Sequence, residues 1–136
     1  MGVFCVLLAS CSSMKNTDSN LTSLEGTWEL NYISGARIAF NGLYPNKKPE
    51  ITFDLKEQRF FGNNSCNSYS GKLAIDGNKI SFKEPMATTK KMCIDNQGEN
   101  AYMKTLQKIN SYSVSKDGKT LNFIMGDIGM MRFEKK

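Results

Sequence analysis

Histidine is absent from this chain, so its candidates for thiol chemistry, metal binding and carboxylate acid–base catalysis are four cysteines and 13 acidic residues. Without histidine, the chain cannot assemble a Ser-His-Asp triad, a Cys-His dyad or a histidine-based zinc site. Paired carboxylates could still perform acid–base catalysis, but no Asp or Glu pair stands out by its spacing. We therefore expect no enzymatic activity, no metal site and no cofactor, with carboxylate catalysis as the alternative.

Cys11 follows an apolar segment, residues 1–10, which is too short to span a membrane and has the length of a signal-peptide core. The order Leu-Ala-Ser-Cys in residues 8–11 resembles the bacterial lipobox, which implies that the leader is cleaved and that Cys11 carries a lipid. Because no Lys or Arg precedes Lys15, we expect the signal peptide to be incomplete at its start. The alternative is a buried first strand that ends in an ordinary cysteine.

Residues 11–23 are rich in Ser, Asn and Thr, a composition typical of a flexible tether. A lipid anchor followed by a tether predicts a protein of the bacterial cell envelope, attached to a membrane and facing the periplasm or the surface. Ser12 stands where Asp would retain an enteric lipoprotein at the inner membrane. By resemblance to that sorting rule, we expect the outer membrane.

Cys66 and Cys93 remain if Cys5 leaves with the leader and Cys11 carries the lipid, and two cysteines permit only one pairing. Disulfides persist in the oxidising compartment to which such a protein is exported. Closing a loop of this size is worth roughly 3.5 kcal/mol in the chain-entropy model. We therefore predict a structural disulfide, with two free buried thiols as the alternative.

The net charge of +5 is spread along the chain. Nucleic-acid readers concentrate their cations on one face and favour arginine for base contacts, whereas this chain has only Arg37, Arg59 and Arg132. We expect no nucleic-acid partner. The length of 136 residues fits one domain, which we assign to residues 24–136.

Apolar and polar residues alternate through most of that domain, which predicts short antiparallel strands. In the first of them, Trp28, Leu30 and Tyr32 are expected to face the core. The predicted strands cover residues 27–33, 50–55, 59–63, 68–75, 80–82, 112–114, 121–125 and 131–133. About eight strands predict a mainly β (α+β) fold, a strongly curved sheet or cracked barrel.

Residues 99–110 break this alternation. Tyr102, Leu106 and Ile109 recur at the spacing of an amphipathic helix, which we expect to pack on the sheet. Asn96 and Glu99 have the spacing of a capping box, in which each side chain bonds the other's backbone N–H.

Two segments carry a family resemblance: GNNSCNSYSG at residues 62–71 and ATTKKMC at residues 87–93. Together with Gly-Thr-Trp-Glu-Leu at residues 26–30, they resemble the META domain of HslJ-like lipoproteins. Ser65 departs from the pattern, because the family usually has Gly before this cysteine. The resemblance implies a cracked β-barrel with a helix, also seen in lipid-binding pilot lipoproteins of secretion systems. It further implies links to the envelope, heat induction and antibiotic resistance, without established enzymatic activity.

We therefore predict a non-enzymatic, lipid-anchored envelope protein that binds or supports another envelope component under stress. The alternative is a lipocalin-like or pilot-like barrel that carries an apolar ligand or a partner peptide. In that alternative Arg132 would stack on Trp28, and Phe53 would be among the residues lining a cavity; otherwise these three residues belong to the core.

A possible binding or turn motif comprises Asn67, Tyr69, Thr89 and Lys90. Asn67 is predicted to be a turn residue with left-handed backbone, or alternatively a ligand contact. The segment with Thr89 and Lys90 is interpreted either as a recognition edge or as an exposed edge strand whose lysines block aggregation.

Overall fold

The computed structural model describes Gly2 and residues 21–136. The predicted lipidation site Cys11, most of the leader and most of the tether lie outside the described residues. In the described part, no helix has the length and hydropathy needed to cross a bilayer.

The domain is built on one antiparallel sheet of ten strands, two more than the sequence predicts. The strands are β1 (Gly26–Ile33), β2 (Glu50–Asp54), β3 (Arg59–Asn63), β4 (Ser68–Lys72), β5 (Ala74–Asp76), β6 (Lys79–Ser81), β7 (Ala87–Thr88), β8 (Ser111–Val114), β9 (Thr120–Met125) and β10 (Ile128–Lys135). Helix α1 (Phe40–Leu43) follows β1, helix α2 (Gln97–Leu106) follows β7, and residues 21–24 form a helical turn.

The sheet curls into a half-barrel. Its strand order is β5-β6-β8-β9-β10-β1-β2-β3-β4-β7, so β4 and β5 lie near opposite edges. Only Leu73 separates the end of β4 from the start of β5 in the chain. Because consecutive Cα atoms are about 3.8 Å apart, the two edges must come close together here. The mainly β, strongly curved fold predicted from the alternation is therefore confirmed.

Aromatic rings fill the concave side of the curled sheet. Phe60 lies 5.0 Å from Phe82, Phe82 lies 5.3 Å from Phe123, and Phe123 lies 5.0 Å from Phe133, between ring centroids. These distances are typical of directly packed aromatic side chains. All four rings are buried, so they form a continuous core through the curve of the sheet.

Helix α2 closes this core from the inside of the curve. The ring of Tyr102 lies 5.7 Å from Tyr69 on β4 and 6.4 Å from Phe133 on β10, strands that are four positions apart in the sheet. At Gly98, an added Cβ would lie 2.6 Å from the Leu43 carbonyl oxygen, so glycine permits the close approach of α2 to α1. The predicted helix thus exists, although it spans Gln97–Leu106 and ends before the buried Ile109.

Tyr32 differs from the prediction. The pairing of β1 with β10 shifts register between Leu30 and Tyr32, as at a β-bulge. An extra residue reverses the alternation beyond it. Trp28 and Leu30 are therefore buried as predicted, whereas Tyr32 is 42% exposed and Ile33 takes the inward position.

The predicted strand over residues 68–75 is also wrong, because Leu73 divides it into β4 and β5. The backbone N–H of Leu73 donates to the carbonyl of Gln58, in the turn between β2 and β3, at 2.9 Å. Leu73 remains buried, so the alternation continues although the chain changes from one edge of the sheet to the other.

Candidate functional site

The turn between β3 and β4, residues 64–67, is organised by the buried side chain of Asn64. Its Oδ1 accepts the backbone N–H groups of Cys66 at 3.2 Å and Asn67 at 2.7 Å. The backbone N–H of Asn64 donates to the carbonyl of Asn67 at 2.9 Å. Asparagine stabilises turns by such local bonds. The turn therefore holds Asn67 in a defined position.

The side chain of Asn67 joins this turn to two other segments of the chain. Its Oδ1 accepts from the Thr89 hydroxyl at 2.9 Å and from the Lys91 N–H at 2.7 Å. Its Nδ2 donates to the Lys91 carbonyl at 3.1 Å and to Glu99 Oε1 at 3.0 Å. A carboxamide has two donor hydrogens and two acceptor lone pairs. These contacts use all four, which leaves no polar capacity for a ligand.

Glu99 is the member of this cluster for which the sequence predicts a different role. It lies in the first turn of α2, where a negative charge interacts favourably with the helix dipole. Its carboxylate accepts from Asn67 and, at 3.5 Å, from Asn64 Nδ2. The predicted capping box is wrong, because the Asn96 side chain makes no capping hydrogen bond and Glu99 binds the β3–β4 turn instead.

Cys66 and Cys93 form a disulfide, with their Cα atoms 6.1 Å apart. Cys66 belongs to the β3–β4 turn, and Cys93 lies four residues before α2. The disulfide and the Asn67 side chain therefore hold the same segment against the same turn.

Ser65, not Asn67, has the left-handed backbone in this turn. Its φ is +85°, and the only other described residue besides glycine with positive φ is Gln58. Asn67 therefore lies in the turn as predicted, but the left-handed backbone expected there is wrong, since Asn67 contributes through its side chain. Ser65 is also where the sequence departs from the family pattern, and glycine is the residue that adopts such a φ without a steric penalty.

Tyr69 on β4 connects the sheet to α2 through its hydroxyl group. Its hydroxyl donates to the Glu50 carbonyl at 2.9 Å and lies 2.5 Å from the hydroxyl of Tyr102. Because a phenol has one hydrogen, Tyr102 is the donor in the second bond. Burial raises the pKa of both phenols, so both stay protonated at neutral pH. Tyr69 thus has a packing role.

Thr89 and Lys90 follow the short edge strand β7 and differ in their surroundings. The Thr89 hydroxyl accepts the Ser68 N–H at 3.0 Å while donating to Asn67, so it belongs to the internal network. Lys90 and Lys91 have exposed side chains. The next apolar residues are exposed too: Met92 is 97% accessible, and Ile94 is fully accessible. We call residues 90–94 the exposed segment.

A family model for the META domain matches residues 19–136, nearly the whole chain. The chain belongs to the META domain family. The resemblance stated from residues 62–71 and 87–93 is therefore confirmed. No curated protein matches the chain.

Solved structures share the fold of this META domain at low sequence identity. The NMR structure of a protein from Burkholderia xenovorans is 17% identical, with a TM-score of 0.68, and the match covers 100% of this chain and 99% of that one. The crystal structure of a DUF4847 family protein from Bacteroides vulgatus ATCC 8482 is 15% identical, with a TM-score of 0.56, covering 83% and 94%. These likenesses concern the fold alone.

The lipocalin-like pairing of Trp28 with Arg132 does not occur in this META domain. Arg132 lies 5.3 Å from the centroid of the Tyr32 ring and donates from Nε to Asn31 Oδ1 at 3.0 Å. The cation over Trp28 is Lys135, at 4.6 Å. The β1 bulge accounts for this difference, because it sets Tyr32 directly opposite Arg132.

Trp28 and Phe53 lie in the core of the META domain. Trp28 is fully buried, and its indole N–H donates to the Leu24 carbonyl at 2.8 Å. Phe53 is 1% exposed and packs edge-on against Phe123, with centroids 6.4 Å apart. Among the described residues, no three His, Cys, Asp or Glu side chains form a group that could hold a metal ion.

Proposed function

We propose that this META domain belongs to a lipid-anchored envelope protein that acts by binding another envelope component, without catalysis. The observation that carries the proposal is the way in which the exposed segment is held. Asn67 binds both the N–H and the carbonyl of Lys91, and the disulfide fixes Cys93. The side chains of Met92 and Ile94 nevertheless lie in solvent. A fixed backbone that displays exposed apolar side chains is suited to binding.

The polar side chains next to the exposed segment are already hydrogen-bonded to one another, which supports a role without catalysis. The polar atoms of Asn67 are all engaged, and Glu99 accepts hydrogen bonds from two asparagines. A general acid or base needs a proton-transfer atom within reach of a substrate. In this cluster the carboxylate instead serves to attach α2 to the β3–β4 turn.

The order Leu-Ala-Ser-Cys at residues 8–11 supports the lipid anchor, and the Cys66–Cys93 disulfide is in keeping with an oxidising compartment. The anchor is tested by metabolic labelling with an alkyne fatty acid in a bacterial host. We expect the wild-type chain to be labelled and to fractionate with the outer membrane. Cys11→Ala should lose the label, and the matched variant Cys5→Ala should keep it. Label retained by Cys11→Ala would overturn the anchoring proposal.

The binding role is tested separately by photo-crosslinking in cells. A photoreactive side chain at position 92 should form adducts with an envelope component. The same group at position 128, where Ile128 is also exposed but lies on β10, serves as the control. Equal adducts at the two positions, or none at position 92, would contradict a binding role for the exposed segment.

A further inference from the structure

We propose that the component bound by the exposed segment is the surface of an anionic phospholipid bilayer. This inference rests on the proposed function, because it names the chemistry of the partner. Met92 and Ile94 enter the headgroup region, while Lys90 and Lys91 contact lipid phosphates. Apolar side chains flanked by lysines are the pattern by which protein surfaces bind such interfaces.

The shape of the segment favours a bilayer over a protein partner. Met92 is 97% exposed and Ile94 is fully exposed, so both side chains protrude from the surface. A protein partner would need a matching pocket for each of them, since interface anchors bind in well-packed pockets. A fluid bilayer surrounds a protruding side chain without a preformed pocket.

The charge around the segment is complementary to anionic headgroups. A hollow of about 350 Å³ is lined by Pro45 and Asn46 together with Ile94, so the loop that continues to Lys47 lies beside the segment. Within the part of the chain that the structure describes, Lys47, Lys90 and Lys91 have no carboxylate within 4.0 Å.

The nearest acidic residue in sequence, Asp95, is held in the segment that leads into α2. Its carboxylate accepts the backbone N–H of Gln97 at 3.1 Å. Glu99 also lies beside the segment, where its carboxylate accepts from Asn67 and Asn64. Three lysines without an ion pair therefore stand against two acidic groups, Asp95 and Glu99, both of which are engaged in hydrogen bonds within the domain. Each lysine near an anionic membrane surface raises the partition coefficient about fivefold.

The fixed backbone lowers the cost of binding. A flexible loop must lose conformational freedom when it inserts, whereas a preorganised one does not. Here the hydrogen bonds of Asn67 to Lys91 and the disulfide at Cys93 order the segment before it meets a membrane. The exposed side chains of Lys90, Lys91, Met92 and Ile94, by contrast, make no side-chain hydrogen bond or ion pair in the described domain, which makes them suitable for substitution.

The inference is tested with the oxidised chain that begins at position 11 and carries Cys11→Ala, so that neither the apolar leader nor an attached lipid contributes. Met92→Trp places a fluorescent probe in the segment, and Ile128→Trp is the matched control at another exposed apolar position. With vesicles of phosphatidylglycerol and phosphatidylethanolamine, we expect a blue shift and quenching by brominated acyl chains for Met92→Trp alone. Vesicles of phosphatidylcholine should give neither signal.

Adding Lys90→Gln and Lys91→Gln to Met92→Trp should lower the partition coefficient about 25-fold without changing the thermal midpoint. Absence of the blue shift with anionic vesicles, an equal shift for Ile128→Trp, or equal binding to phosphatidylcholine would overturn the inference. If the bilayer inference failed in this way, fatty-acid labelling at Cys11 and protein adducts at position 92 would still support the proposed function. Failure of the inference is therefore distinguishable from failure of the proposed function.

Discussion

The Asn67 amide donates to the Glu99 carboxylate at 3.0 Å, and this bond joins the β3–β4 turn to the first turn of α2. The same amide group binds Thr89 and Lys91, so one side chain connects the β3–β4 turn, the segment after β7 and the first turn of α2. The exposed segment owes its fixed position to this cluster together with the disulfide.

Asn67→Asp tests the cluster directly. The substitution keeps the size of the side chain but replaces two N–H donors with an oxygen that faces the Glu99 carboxylate. We expect the free energy of unfolding to fall by about 2–4 kcal/mol at pH 7, because bonds are lost and like charges meet in a buried place. Part of the loss should be recovered near pH 4. Urea denaturation measures both values.

The matched control is Asn46→Asp, at an exposed position. It should change the free energy of unfolding by no more than about 0.5 kcal/mol. Equal effects of the two substitutions would show that Asn67 does not hold the cluster together.

Ser65→Gly should stabilise the protein. The φ of +85° at Ser65 strains a residue that has a Cβ, and glycine relieves that strain at some cost in unfolded-state entropy. We expect a net gain of about 0.5–1 kcal/mol in the free energy of unfolding. Ser65→Ala retains the Cβ and should bring no such gain. A loss of stability in Ser65→Gly would contradict the geometry of this turn.

Tyr69 and Tyr102, which are hydrogen-bonded to each other, should lose different amounts of stability when each is replaced by phenylalanine. Tyr102→Phe removes one donor and leaves Tyr69 bonded to Glu50, so a loss of about 1 kcal/mol is expected. Tyr69→Phe leaves the Glu50 carbonyl and the Tyr102 hydroxyl without this partner, and the loss should reach about 2–3 kcal/mol. Thermal unfolding of the two variants checks the order; the reverse order would refute the direction assigned to these bonds.

Alkaline pH should lower the stability of the folded protein through its buried tyrosines. Burial raises the pKa of Tyr69, Tyr102 and Tyr112 above the usual value of about 10. A raised pKa means that the folded state favours the neutral phenol, so this stabilisation is complete below pH ~10 and is lost as the pH rises beyond it. Unfolding midpoints at pH 8 and pH 11.5 measure the loss, which should be smaller in Tyr102→Phe. An equal loss in both proteins would exclude Tyr102 as a source of this effect.

The alternation in the sequence predicts most of the sheet because burial of one strand face has a period of two. The alternation fails at Tyr32, where the β1 bulge adds an extra residue that no alternating pattern can reveal. It fails again at Leu73, which stays buried while the chain crosses between sheet edges. Both features depend on pairing between distant strands.

The candidate site could be predicted only in part. The motif residues Cys66, Cys93 and Asn67 are visible in the sequence, but the partners of Asn67 are not. Glu99 has the spacing of a capping residue, and only the approach of the β3–β4 turn gives it a different bond. Arg132 is likewise placed over Tyr32 by the strand register.

Intact mass spectrometry of the chain, isolated from the envelope of a bacterial host without reduction, tests the central claim most directly. We expect a mature protein that begins at Cys11, carries the mass of attached fatty acyl groups, and takes up no alkylating reagent at Cys66 or Cys93. An uncleaved leader together with alkylation of both thiols would contradict the account.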